Sequence, residues 1–277
     1  MDKFLQVFAV LYYFFPYLSC IISITAKTTM LKRERQAFIL HQVNIHNKVL
    51  SSDLSQEMSV SEDTIRRDLN ELAELNKIIK VHGGALSKSF HNSFQRSKVY
   101  SIENKKVIAQ KALQLIEDGM FVLTSGGTTI IELARILPEN LQATFITGSL
   151  PVAFEYMHHP SIEVIVIGDK LSKSSQITVG GEAIKSIQQI KPDLCFLGIN
   201  AIDAEEGITD NDWDVVQLKK AMIESSKKVI ALSISEKINT TQRIKICDIK
   251  DIDMLITELS PDDPSLKTYH KKGVKIL

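Results

Sequence analysis

"SVSEDTIRRDLNEL", residues 59–72, decides how the front of this chain folds. Ser61 can accept from the free N–H groups of a starting helix, and Glu62 and Asp63 suit the positive end of its dipole. Ile65, Leu69, Leu72 and Leu75 then fall at helical spacing and predict one buried face. The opposite face carries Thr64, Arg66, Arg67 and Asn70. In isolation this is an ordinary surface helix whose arginines pair one turn away, as Arg67 with Glu71. The same residue types read DNA: Arg grips guanine with two hydrogen bonds, and Thr and Asn offer short ones. They also sit in the first turns, the part of a recognition helix that enters the major groove.

The order of neighbouring elements favours the DNA reading. "RERQAFILHQVNIH" (33–46) places Phe38, Ile39, Gln42 and Val43 on a helical pattern. "SSDLSQEM" (51–58) predicts a short helix capped by Ser51 or Ser52, with Leu54 and Met58 four apart. "SVS" leaves room for a tight turn alone, which completes a helix-turn-helix. "KIIKVHGGAL" (77–86) reads as strand, Gly83–Gly84 turn and returning strand. A basic hairpin after such a helix is a wing, on which Lys80 and His82 can touch DNA. Charge totals do not help, since Lys+Arg and Asp+Glu are both 33 and residues 31–86 are also balanced. The expected DNA-contacting set is Ser61, Thr64, Arg66, Arg67, Asn70, Lys80 and His82.

These stretches resemble the DeoR family of bacterial repressors. "RERQAFIL" (33–40), "VSEDTIRRDLNEL" (60–72) and "KVHGGAL" (80–86) carry the resemblance, with an early Arg, a Ser-x-x-Thr-Ile-Arg-Arg-Asp-Leu core and a His-Gly-Gly turn at matching distances. It implies that Thr64, Arg66 and Arg67 read DNA, and that Asp68 orients an arginine or the fold. Ser59 stands where Gly is usual; a left-handed backbone there costs Ser more than Gly.

Behind the head, "SKSFHNSFQRSKVY" (87–100) is polar and aperiodic and reads as a linker. "IENKKVIAQKALQLIEDG" predicts an amphipathic helix ending at Gly119. Apolar runs then alternate with helical segments: "MFVLT", "ATFIT", "IEVIVIG", "DLCFLGI", "KVIALSI" and "MLIT" against "TTIIELARIL", "SLPVAFEYMHH" and "DVVQLKKAMIESS". That alternation predicts a parallel sheet covered on both faces.

"LTSGGTTIIELA" (123–134) leaves a strand and opens a helix, so Ser125, Gly126, Gly127, Thr128 and Thr129 offer N–H groups and hydroxyls to a phosphate. A nucleotide P-loop is excluded, because no Lys follows at the required spacing. Further candidates near strand ends are Thr147 and Ser149, Gly180 and Gly181, Asn200 and Asp203, and Lys237. Lys219 and Lys220 suit a solvated helix face equally well. Asp203 and Lys237 are the residues an isomerase chemistry would need, but no carboxylate pair stands beside the phosphate loop. The expectation is a binding module with no catalytic residue, no metal and no cofactor.

Residues 101–277 resemble the DeoR sensor domain, which is similar in fold to ribose-5-phosphate isomerase. The matching stretches are "IAQKALQLIEDG", "SGGTT", "TGSLPVA", "VGGEA", "FLGINAID", "KKAMIESSKKVI" and "DMLIT". The resemblance implies a phosphorylated sugar as effector. The chain departs from the family at Thr124, where Asp is frequent, and at "TGS", which replaces Thr-Asn-Ser. It departs again at Asp169, a common Gly, and at "SISEKI", which lacks Asp-Ser-Ser.

Residues 4–25 are apolar, aromatic and long enough to cross a bilayer. They are read as leader before a natural start at Met30, with a membrane anchor or a signal peptide as alternatives. Cys20, Cys195 and Cys247 are odd in number and far apart, without zinc spacing, which suggests a reduced cytoplasmic protein. The expected architecture is α/β in two domains: a leader at 1–29, a winged helix-turn-helix at 30–86, a linker at 87–100 and a mostly parallel α/β sensor at 101–277. The expected partners are operator DNA, a phosphorylated sugar and further copies of the chain, with a membrane involved only if 4–25 is a real anchor.

Overall fold

In the computed structural model the described residues are 30–88 and 99–277. The leader and anchor readings of 1–29, and most of the predicted linker, lie outside them.

The head runs α1 (Lys32–His46), β1 (Lys48–Leu50), α2 (Ser51–Met58), α3 (Glu62–Glu74), β2 (Ile78–Val81) and β3 (Gly84–Ser87). The strands form one antiparallel sheet in the order β1-β3-β2. Ile39, Val43, Leu54, Ile65, Leu69 and Leu72 pack together as its core. Leu75 departs from the predicted buried face: it ends α3 and stands 61% exposed. The cap of α2 also differs, since Ser51 is already helical and Leu50 precedes it. The α2–α3 turn is made by Ser59 at φ 51°, so serine carries the left-handed backbone that the family gives to Gly. Gly83 turns the wing at φ 76°, and a Cβ on Gly84 would lie 1.9 Å from the Val49 carbonyl oxygen.

The sensor opens with α4 (Ile102–Leu113), which stops well short of the predicted Gly119. Then follow β4 (Phe121–Thr124), α5 (Thr128–Arg135), β5 (Thr144–Thr147), α6 (Leu150–Met157) and β6 (Glu163–Val166). A hairpin, β7 (Lys170–Ser172) and β8 (Ile177–Val179), leads to α7 (Gly181–Gln188) and β9 (Leu194–Gly198). The remainder is β10 (Ala201–Asp203), β11 (Gly207–Asp210), α8 (Trp213–Ser225), β12 (Val229–Leu232), β13 (Ile244–Cys247), β14 (Met254–Ile256), α9 (Lys267–Lys271) and β15 (Lys275–Ile276).

Seven strands form one sheet in the order β15-β14-β12-β9-β4-β5-β6, and every pairing is parallel. Side chains alternate across it. Val122, Phe145 and Phe196 pack under α4, α5 and α6, while Leu123, Ile146 and Cys195 pack under α7 and α8. All six predicted strands are present. The β7–β8 hairpin and the antiparallel β10-β11-β13 sheet were not predicted. The chain passes from β4 to β5 on one side and later returns with β9 on the other. A crevice therefore opens where the strand order reverses, at the carboxyl ends of β4 and β9. Among the described residues no helix is long and apolar enough to cross a membrane.

Candidate functional site

The head presents its polar face as the spacing predicts. The Ser61 hydroxyl caps α3, accepting from the Thr64 N–H at 3.2 Å. Arg66, Arg67 and Asn70 are exposed, as are Lys80 and His82 on the wing. The arginines pair backwards rather than with Glu71: Arg67 lies 2.6 Å from Asp63 and Arg66 3.5 Å from Glu62. Such exposed pairs contribute little and exchange readily for other anions. Glu71 instead accepts from Lys32 at 2.6 Å and from Gln36 at 2.8 Å.

Asp68 is buried and takes two hydrogen bonds from the Arg35 guanidinium, one of them from Nη2 at 3.3 Å. This pair ties α1 to α3, so the early Arg fixes how the recognition helix is held. Asp68 orients an arginine, but that arginine is Arg35 and not one on its own helix.

The sensor's polar groups converge on the crevice. Gly126, Gly127, Thr128 and Thr129 line it from the start of α5, with Gly127 at φ 119° before the first helical turn. Facing them are Lys105 from α4, Lys219 from α8 and Lys237 from the loop after β12. Lys237 Nζ donates to the Ile199 carbonyl at 2.7 Å. Burial, reinforced by Lys105 and Lys219, pulls its pKa down to about 7. Burial likewise lowers Lys105 to about 8, with its Nζ on the Tyr100 carbonyl at 2.6 Å. Burial disfavours the charge on Lys105 and Lys237, and an anion beside them would relieve that cost.

The carboxylates in the wall are already engaged. Burial raises the Asp210 pKa, but Lys219 Nζ at 3.0 Å and Asn200 Nδ2 at 3.0 Å outweigh it and hold the carboxyl below its usual range. Asp212 caps α8 through the Val215 N–H at 3.4 Å.

Several predicted ligand residues lie elsewhere. Ser125 is buried behind the loop, its Oγ accepting from the Gly198 N–H at 2.8 Å. Thr147 and Ser149 are buried beside the loop: Thr147 Oγ1 donates to the Thr124 carbonyl at 2.9 Å, and Ser149 bridges to Ile177 of the β7–β8 hairpin with its hydroxyl next to Gly126. Gly180 and Gly181 start α7, and Asp169 fills the place of a ligand there: it accepts from the Glu182 N–H at 2.9 Å and the Ala183 N–H at 3.1 Å. A Cβ on Gly180 would meet Asp169 Oδ2 at 2.4 Å, so the two positions fit as a pair. Asp203 accepts from the N–H groups of Glu205 and Glu206 at 2.8 and 3.0 Å, making the β10–β11 turn instead of reaching the cavity. The sequence reading missed Lys105 and Asp210. Their signal was weak, since a lysine in an amphipathic helix and an Asp closing a short strand look like surface residues.

A DeoR-like helix-turn-helix domain matches residues 35–90, and a DeoR C-terminal sensor domain matches residues 100–259. The HTH-type transcriptional regulator YulB of Bacillus subtilis is 34% identical over 251 residues, 89% of this chain and 96% of that protein. The transcriptional repressor GlcR of the same organism is 32% identical over 252 residues, covering 90% and 96%. The glycerol-3-phosphate regulon repressor of Escherichia coli is 30% identical over 234 residues, covering 84% and 93%. Likeness to solved structures is looser: a ribose-5-phosphate isomerase in complex with phospho-erythronic acid has 18% identity and a TM-score of 0.36, over 49% of this chain and 53% of that one. With both halves matched in their own order, the chain belongs to the DeoR family of DNA-binding transcriptional regulators.

Proposed function

We propose that this regulator represses an operon of carbohydrate metabolism, and that a phosphorylated sugar bound at Gly126–Thr129 relieves the repression. The observation that carries the effector reading is electrostatic: a glycine loop at a helix start shares its crevice with three lysines, buried Lys105 and Lys219 and half-buried Lys237. Backbone N–H groups and the helix dipole favour an anion there. Repressor relatives named for glycerol-3-phosphate and aga operons support the same class of ligand and target. On the head, Thr64, Arg66, Arg67 and Asn70 are the base and phosphate readers, with Lys80 and His82 on the flanking backbone. Paired heads on a repeated operator require at least a dimer.

A thermal-shift panel of sugar phosphates tests the effector reading. A ligand that binds the native state alone raises the melting temperature by mass action. The same compound is expected to release operator DNA. A panel in which no sugar phosphate moves the melting temperature contradicts the reading. Turnover of pentose and hexose phosphates would instead reveal an enzyme.

A further inference from the structure

The turn joining α1 to β1 belongs to the DNA-binding head, yet His46, Asn47 and Lys48 form part of the sensor's cavity wall. Asn47 makes the turn at φ 62°, a conformation that Asn tolerates better than most residues. The buried His46 ring donates from Nδ1 to the Asn200 carbonyl at 2.9 Å. Burial, then the nearby Lys237, lowers the imidazole to about 4, so it is neutral near pH 7. The carbonyl one residue back, on Ile199, holds Lys237. The Asn200 side chain reaches Asp210, whose other oxygen holds Lys219. The β9–β10 link thus bears the head's histidine and a cavity lysine on adjacent carbonyls. A second clasp, Arg243 to Asp53 of α2, lies next to Gln242 in the same wall.

Lys48 stands in this wall with no carboxylate partner among the described residues. The cavity measures about 80 Å³, room for a handful of waters. Its sensor walls are strand ends and a helix start rooted in the buried sheet. Its head wall is held by side-chain contacts, and is therefore the wall that can yield.

We propose that Lys48 of the DNA-binding head directly contacts the anion bound in the sensor's cavity, so that the effector site is shared between the two domains. This rests on the anion-binding reading above. A shared site explains how a small ligand can bias the head without a long relay: it touches both domains, and its affinity then differs between arrangements of the head.

The test uses the full chain and inorganic phosphate as probe. Trp213 is the one tryptophan of the sequence and follows Asp212 of the cavity wall, so its fluorescence can report titration. Lys48→Met, Lys48→Arg and Lys237→Met are compared with the parent, and melting curves confirm that each is folded. Lys48→Met is expected to weaken phosphate binding by about tenfold, the loss of one charged hydrogen bond, and Lys48→Arg to restore most of it. Should Lys48→Met bind like the parent while Lys237→Met is weakened, the anion cavity stands and the shared site falls. Should the parent show no saturable binding, or both Met variants bind like the parent, the anion reading fails and the shared site fails with it.

Discussion

Head and sensor use charge in opposite ways. The head's working cations, Arg66 and Arg67, are 64% and 77% exposed and hold weak pairs with Glu62 and Asp63. The lysines proposed to act in the sensor are buried or half-buried, and desolvation shifts Lys105 and Lys237 towards neutrality. A surface that must accept a long polyanion keeps its charges solvated and free to exchange. A cavity proposed to hold one small anion keeps its cations from water, so that binding there would depend on their protonation. Buried pairs occur in both domains, among them Arg35–Asp68 in the head and Lys219–Asp210 in the sensor. The first joins two helices; the second lines the ligand cavity.

The sharpest way to break this contrast is to remove the head's buried pair. Arg35→Ala leaves the Asp68 carboxylate buried and is expected to cost about 3–5 kcal/mol of head stability, seen as lost operator binding and early melting of the head. Cavity binding of a sugar phosphate should persist but weaken at least as much as in Lys48→Met, because the head's share of the wall is lost with it. Arg66→Ala and Arg67→Ala act without unfolding: each is expected to weaken operator binding by about 1–3 kcal/mol, read in a footprint or anisotropy titration, with effector binding intact.

Acidity separates the domains next. An anion favours protonated Lys237, so sugar-phosphate affinity should fall as pH rises above about 7, by up to roughly tenfold per unit. Exposed arginines give operator binding no such step, and titrations between pH 7 and 9 compare the two. Stability runs the other way. The unfolded chain keeps the lysine proton to higher pH, so the cost of burying Lys237 is full below pH 7 and fades as pH rises above it. The smallest effect is local: Ser59→Gly should relieve the left-handed turn by about 0.5–1 kcal/mol, raising the head's melting temperature and changing neither affinity.

Local chemistry made the head legible. Ser61 had to cap, Ile65, Leu69 and Leu72 had to face inward, and the arginines were left outside. Leu75 escaped the pattern because the helix ends before its side chain is covered. The strands of the sensor were legible for a similar reason, as continuous apolar runs need burial on both faces. Its site was legible at Gly126–Thr129, Asn200 and Lys237, where one strand end or loop supplies the group, while Lys219 could not be told from a surface lysine. The rest depends on which strands become neighbours. Thr147 and Ser149 end a strand at the right edge, yet Thr147 turns its hydroxyl to the neighbouring strand and Ser149 is bridged by a hairpin of three-residue strands. Lys105, Asp210 and His46 come from distant positions that only the sheet order and the head's placement bring together. Asp169 shows the same limit: the sequence marks it as a departure from the family, and only the fold shows that it caps α7.

The central claim is that an anion in the sensor decides whether the head holds DNA. It is tested most directly by operator affinity, measured by anisotropy on a duplex from upstream of the protein's own gene cluster, with and without a sugar phosphate that raises the melting temperature. The account predicts tight binding without the sugar phosphate, at least about fivefold weaker binding with it, and no such response in Lys237→Met. Equal operator affinity in both conditions would contradict it.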